Sequence, residues 1–178
     1  MIISDCFDNR LEPLNSSKNP QCLFSVANVP NLHYVIEFLL MNQIKEIIIS
    51  SKYNRELIEE QTKKFKQQVK KIKVVATPDA DNFGDSLRTV ASMNLINDDF
   101  LIVRGDMISN INIHEALKMH YHIREEESKK ENQTTETRKI KTIMTKLFLR
   151  RSNTNPLCDP MTEITLMLDN QTKEILKY

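Results

Sequence analysis

Between Leu32 and Met41 apolar side chains recur at helical spacing, and the stretch that follows, Ile44-Lys45-Glu46-Ile47-Ile48-Ile49, is the short apolar run of a buried strand. The pair predicts a helix followed by a strand. Residues 54–70 repeat the theme: they are rich in Glu, Lys and Gln, with Leu57, Ile58, Phe65 and Val69 spaced for one helical face, and Lys73-Val74-Val75-Ala76 predicts the next strand. Phe83–Met93 predicts a further helix, Phe100-Leu101-Ile102-Val103 a strand ending at Gly105-Asp106, and Ile113–Ile123 another helix. Strands alternating with helices imply a parallel sheet. In open sheets of this kind ligands bind beyond the carboxyl ends of the strands, where Asp5 and Asp106 both fall.

From Arg124 to Lys141 the chain turns polar and charged, with Glu125-Glu126-Glu127 and no apolar residue before Ile140, which predicts a solvated loop or disordered insertion. Beyond it, Thr142–Leu149 and Glu163–Leu168 have the patterning of strands, and Asp169-Asn170 starts a turn toward Ile175-Leu176. The last strand stops at Tyr178, so the chain is expected to be a fragment of a longer protein.

Composition narrows the function. With 178 residues, 40% hydrophobic and 28% charged, one sizeable core is the expectation. A formal net charge of +1 supplies no global field toward nucleic acid or an anionic membrane, so neither is expected as a direct partner and recognition must be local. No apolar run approaches the roughly 20 residues that span a bilayer, and Met1-Ile2-Ile3-Ser4-Asp5 does not read as a signal peptide, which makes the cytoplasm the expected location. Cys6, Cys22 and Cys158 are odd in number and far apart, unlike a disulfide framework or zinc site. Three Asn-x-Ser/Thr matches, beginning at Asn15, Asn132 and Asn170, matter only in a secreted protein.

The most informative stretch is Asn9-Arg10-Leu11-Glu12-Pro13-Leu14, followed by Pro20, Leu23, Val26, Asn28 and Pro30. Its spacing resembles the signature of the sugar-nucleotide pyrophosphorylases. In that family a glycine-rich turn precedes the motif and lets backbone N–H groups approach nucleotide phosphates; here Asp5, Cys6 and Asp8 hold those positions. Carboxylates there repel phosphate. The whole chain has two glycines, Gly84 and Gly105, so no other glycine-rich phosphate loop exists. Gln21 stands where the resemblance implies a phosphate-neutralising lysine, and a neutral amide cannot supply that charge. Asp106 stands where it implies a metal-holding aspartate, and Leu87 follows Gly84-Asp85 where related enzymes pack against the base.

Within the superfamily, Ser4-Asp5-Cys6-Phe7-Asp8-Asn9-Arg10 and Gly105-Asp106-Met107-Ile108-Ser109-Asn110-Ile111-Asn112 resemble the epsilon-type subunits of eukaryotic translation initiation factor 2B, and Phe7 in place of glycine sets the chain apart from the gamma type. The resemblance runs over residues 1–178, with an enlarged polar insertion at about 124–141. It implies a three-layer α/β/α sandwich with a mostly parallel sheet, the Rossmann-like fold of nucleotide-diphospho-sugar transferases. It implies a vestigial nucleotide pocket formed by Asp5, Asp8, Asn9, Arg10, Gln21 and Asp106, with no catalytic residue, metal or cofactor. It further implies an assembly and docking role with the other subunits of initiation factor 2B, gamma first, and with initiation factor 2, ahead of a β-helix and a C-terminal exchange domain that these residues do not encode. The rival reading is an active nucleotidyltransferase using Arg10 at the leaving group and Asp106 at a metal. A third is a pocket that binds a nucleotide without turnover, which Asp5 and Asp8 oppose by charge.

Two further clusters have plain readings. His114-Glu115, His120 and His122 lack zincin spacing, because Lys118 stands four residues after His114. Lys63, Lys64, Lys66, Lys70, Lys71 and Lys73 are interleaved with Gln and balanced by Glu56, Glu59 and Glu60, as on a solvated helix face.

Overall fold

The computed structural model describes residues 1–5, 7, 13–14, 16, 19–131, 144–147, 167–168 and 175–177. They form two compact units, Met1–Lys118 and Met119–Tyr178. The strands of the first unit are β1 (Ile2–Ile3), β2 (Ser25–Val26), β3 (Val29–Pro30), β4 (Glu46–Ser51), β5 (Lys71–Ala76) and β6 (Val103–Arg104). Its helices are α1 (Asn31–Met41), α2 (Arg55–Thr62) and α3 (Phe83–Ser92), and α4 (His114–Glu131) begins in it. In the second unit, β7 (Met167–Leu168) and β8 (Ile175–Lys177) pair antiparallel.

The main sheet has the order β5-β4-β1-β6 with every pairing parallel, so the chain winds outward from β1 to β5 and then returns to the other side of β1. This doubly wound order places a topological switch point between the carboxyl ends of β1 and β6. Alternate residues of the strands face opposite layers. Ile2, Ile47, Ile49, Val74 and Val103 pack with Leu32, Val35, Ile36 and Leu39 of α1 and Ile58 of α2. On the other face Ile3, Ile48 and Val75 meet Leu87 and Val90 of α3. The result is the expected α/β/α sandwich.

Several expected bounds shift. α2 stops at Thr62, whose hydroxyl bonds back to the Glu59 carbonyl at 2.8 Å, and a 3-10 turn at Lys63–Phe65 then carries Phe65 and Val69 into the core while Leu57 stays 38% exposed. The lysine cluster therefore spans a turn and a strand rather than one helix. α4 runs through Glu131 instead of stopping at Ile123, because Arg, Glu and Lys are favourable helix formers; the solvated-loop reading fails for 124–131, and 132–141 lie outside the described residues. The strand expected over Thr142–Leu149 is not formed at 144–147, where Met144 and Leu147 are exposed; alternation makes a strand only where a neighbour accepts its hydrogen bonds.

Candidate functional site at the sheet switch point

One wall of the switch point is the segment leaving β1. Ser4 is fully buried, with its N–H bonded to the Ser50 carbonyl at 3.1 Å and its hydroxyl donating to the same oxygen at 2.7 Å. This double pin fixes the direction of the next residue. The Asp5 carboxylate accepts the Lys52 backbone N–H at 2.7 Å and the Ser4 hydroxyl at 3.3 Å. Burial disfavours its charged form and pushes the Asp5 pKa above the ordinary 3.8, more than the Lys52 and Ser4 hydrogen bonds lower it. The neighbouring Lys52 ammonium is engaged elsewhere, 2.8 Å from Asp81. Phe7 follows with φ of 51°, in the left-handed region that favours glycine, and its ring packs on the core cluster of Ile3, Val75 and Val90.

The raised Asp5 pKa makes a prediction. The folded state holds the Asp5 proton more tightly than the unfolded chain does, so the stability it confers is present at low pH and lost as pH rises through the folded pKa. Asp5→Asn keeps an acceptor for Lys52 and carries no charge. The variant is expected to unfold at higher denaturant than the parent at pH 7, with the gap closing toward pH near the ordinary 3.8, in parallel urea titrations. A gap independent of pH would refute this account.

The opposite wall is the end of β6. Gly105 N–H extends the pairing to the Ile3 carbonyl at 2.7 Å, and the chain then turns at Asp106, whose side chain is 17% exposed. Arg104 lies two residues earlier, and its guanidinium forks onto Asp106, Nε donating to Oδ1 at 3.0 Å and Nη2 to Oδ2 at 2.8 Å. Gln21, on a 3-10 turn at Gln21–Leu23, adds its amide N–H to Oδ2 at 3.3 Å, while its own Oε1 is buried without a partner among the described residues. A bidentate guanidinium is among the strongest partners a carboxylate can have.

Asp106 thus accepts three donors, two from Arg104 and one from Gln21. Both oxygens already accept from a cation, and the described residues contain no group of three or more His, Cys, Asp or Glu able to hold a metal. Nor does the histidine cluster of α4 assemble one: His120 Nδ1 is 2.7 Å from the Thr145 hydroxyl and His122 lies 3.8 Å from Glu126.

The family model described as nucleotidyl transferase matches residues 1–139. The chain belongs to the nucleotidyl transferase family. This nucleotidyl transferase chain is 31% identical over 131 residues to translation initiation factor eIF2B subunit epsilon of Schizosaccharomyces pombe, covering 71% of this chain and 19% of that protein. Against the Dictyostelium discoideum protein of the same description it is 25% identical over 181 residues, covering 100% of this chain and 24% of the relative. The chain thus spans 19% to 24% of the length of these two relatives. A third similarity, to the bifunctional protein GlmU of Methanocaldococcus jannaschii, is 28% over 120 residues, covering 67% of this chain and 28% of that protein.

Of the six sequence-derived pocket residues of this nucleotidyl transferase chain, Asp5 flanks the carboxyl end of β1, and Gln21 and Asp106 meet directly beside that of β6. Asp8, Asn9 and Arg10 lie outside the described residues. Gly84-Asp85 lies in the first turn of α3, where the side chain of the N-cap residue Asn82 accepts the Asp85 N–H at 3.0 Å and donates its amide to the Asp85 carboxylate at 2.7 Å. Leu87 packs against the sheet with Phe7 in the same apolar cluster. Arg104 was missed by sequence reasoning, though the strand period of two was a usable signal, since it places Arg104 and Asp106 on one side of the chain. Also missed was the buried hydroxyl pair at the floor, where Ser86 on α3 donates to Ser50 at 2.8 Å.

Proposed function

We propose that this chain is the first part of an epsilon-type subunit of initiation factor 2B, in which the nucleotidyl transferase fold serves as a scaffold without phosphate chemistry. The observation that carries the reading is the Arg104 fork on Asp106, reinforced by Gln21: the one carboxylate at the metal position of the resemblance already has its countercharge. Similarity to eIF2B subunit epsilon in two eukaryotes supports the cellular role. That role is assembly with the other subunits of initiation factor 2B, the gamma subunit first, and docking of initiation factor 2 in the cytoplasm. Guanine nucleotide exchange belongs to parts of the longer protein beyond these residues. It acts by favouring the nucleotide-free form of the bound GTPase.

Calorimetric titration with GTP, ATP or UTP and magnesium is expected to give no heat beyond dilution at ligand concentrations of about 1 mM, the scale of an affinity near −4 kcal/mol. A second reading, nucleotidyl transfer with Arg10 and Asp106 in working roles, is favoured by the shared similarity with GlmU. Micromolar binding that disappears in Asp106→Asn would revive that reading and overturn a scaffold without phosphate chemistry.

A further inference from the structure

Six lysines fall within the eleven residues from Lys63 to Lys73, and all six are exposed. They are held rather than splayed: Phe65 and Val69, buried in the core, anchor the 3-10 turn and the start of β5 between them. Only Lys70 forms an ion pair, with Glu46 at 2.5 Å; Lys63, Lys64, Lys66, Lys71 and Lys73 form none among the described residues. In a chain of net charge +1 this is a concentrated local field.

The same stretch ends on a sheet edge. β5 is the outermost strand of its sheet among the described residues. Lys71 donates its N–H inward to Lys45 at 3.2 Å and Thr77 donates inward to Ser51 at 2.8 Å. Alternation along the strand therefore turns the backbone N–H and C=O of Ile72, Val74 and Ala76 outward, away from β4. Lys71 and Lys73, two apart, project from one face of that edge.

We propose that the β5 edge is a docking site for an extended acidic protein segment that adds to the sheet as a further strand. Its backbone pairs with Ile72, Val74 and Ala76, and Glu or Asp at alternating positions stand opposite Lys71 and Lys73, at the cross-strand distance where opposite charges attract. Lys63, Lys64 and Lys66 extend the attraction past the end of the strand. A row of backbone donors and acceptors at strand spacing suits a peptide. The lysine stretch offers no exposed aromatic ring and no arginine fork for a nucleic acid to use. A second copy of this edge is excluded by its like charge, since edge lysines oppose self-pairing while admitting an acidic strand. The proposal holds whether or not the switch-point cleft binds nucleotide.

The test uses the full chain and a fluorescein-labelled peptide alternating Glu and Val, about eight residues long, the length of an ordinary strand. Anisotropy is expected to show saturable binding that weakens roughly tenfold or more when salt rises from about 0.05 M to about 0.5 M. The double variant Lys71→Glu/Lys73→Glu should lose it. The same peptide N-methylated at every residue keeps every charge but has no backbone N–H left to pair on either edge, and it should also fail to bind. No binding, indifference to the lysine changes, or equal binding of the N-methylated peptide would each overturn the proposal. So would polyuridylate binding more tightly than the peptide at equal salt, which would make the patch a nucleic-acid surface.

Discussion

Ile49→Ala is expected to destabilise the protein by about 2–5 kcal/mol, the range for truncating a fully buried branched side chain in a packed core. Ile49 sits mid-strand in β4, opposite Ile2 of β1 and Val74 of β5, all in the cluster that α1 and α2 cover. Three of its surroundings are rigid: β1 and β5 are hydrogen-bonded to β4 on either side, and α1 closes over the face with Leu32, Val35, Ile36 and Leu39. The space cannot collapse, so the lost transfer energy is joined by a cavity term. Against a total of about 5–15 kcal/mol for a native domain, that is a large fraction of the whole. Urea unfolding should show the midpoint falling at constant slope. Ile48→Ala is the internal control, because Ile48 faces the α3 layer and is only half-buried; equal losses from the two would contradict the layer assignment.

Gly105→Ala is the second large effect, about 1–3 kcal/mol from overpacking with the upper end expected. An added Cβ would lie 2.9 Å from the Ser4 Cα, 2.9 Å from the Cys22 Cβ and 3.1 Å from the Ile3 carbonyl oxygen. None of these is the tip of a flexible side chain. Ser4 cannot retreat, because its N–H and hydroxyl both hold Ser50, and Gly105 itself is tied to Ile3 at 2.7 Å. No glycine here has positive φ, so the requirement is for space. Gly84→Ala is the comparison: its nearest neighbours are the Asn82 side-chain oxygen at 3.2 Å and the tip of Arg88, and in the first turn of α3 alanine is expected to be neutral or stabilising by up to about 1 kcal/mol. Equal effects at the two glycines would show that the β1–β6 approach is looser than the distances state. Because Gly105 sets the approach of Arg104 and Asp106 to β1, the variant also tests how firmly the switch point is held.

How much of this was readable beforehand depends on the range of the cause. α1 and α3 fell within a residue or two of the expected bounds because helical periodicity is a local property, and α3 carries its own N-cap at Asn82. β4 and β5 announced themselves by apolar runs. The strand expected at Phe100–Val103 pairs only at Val103–Arg104 as β6, and β1 is a two-residue ladder too short to carry a period of its own; both ladders exist because β1 is flanked on both sides by parallel partners. The positions of Asp5 and Asp106 at strand ends followed from the alternation of elements. Their states did not.

The order of apolar and polar positions thus determined an α/β chain with its carboxylates beyond the strand ends, and residue type alone places Asp5, Cys6 and Asp8, not glycine, in the stretch after β1, because periodicity and residue type are fixed along the chain itself. Only the tertiary structure decided that Asp106 is clamped by Arg104 and Gln21, that Asp5 is buried against Lys52 rather than paired with a cation, and that the lysines line a sheet edge. Charge, hydrogen bonding and burial act over a few ångströms. Which groups come that close, across separations such as the 85 residues between Gln21 and Asp106, is settled by packing.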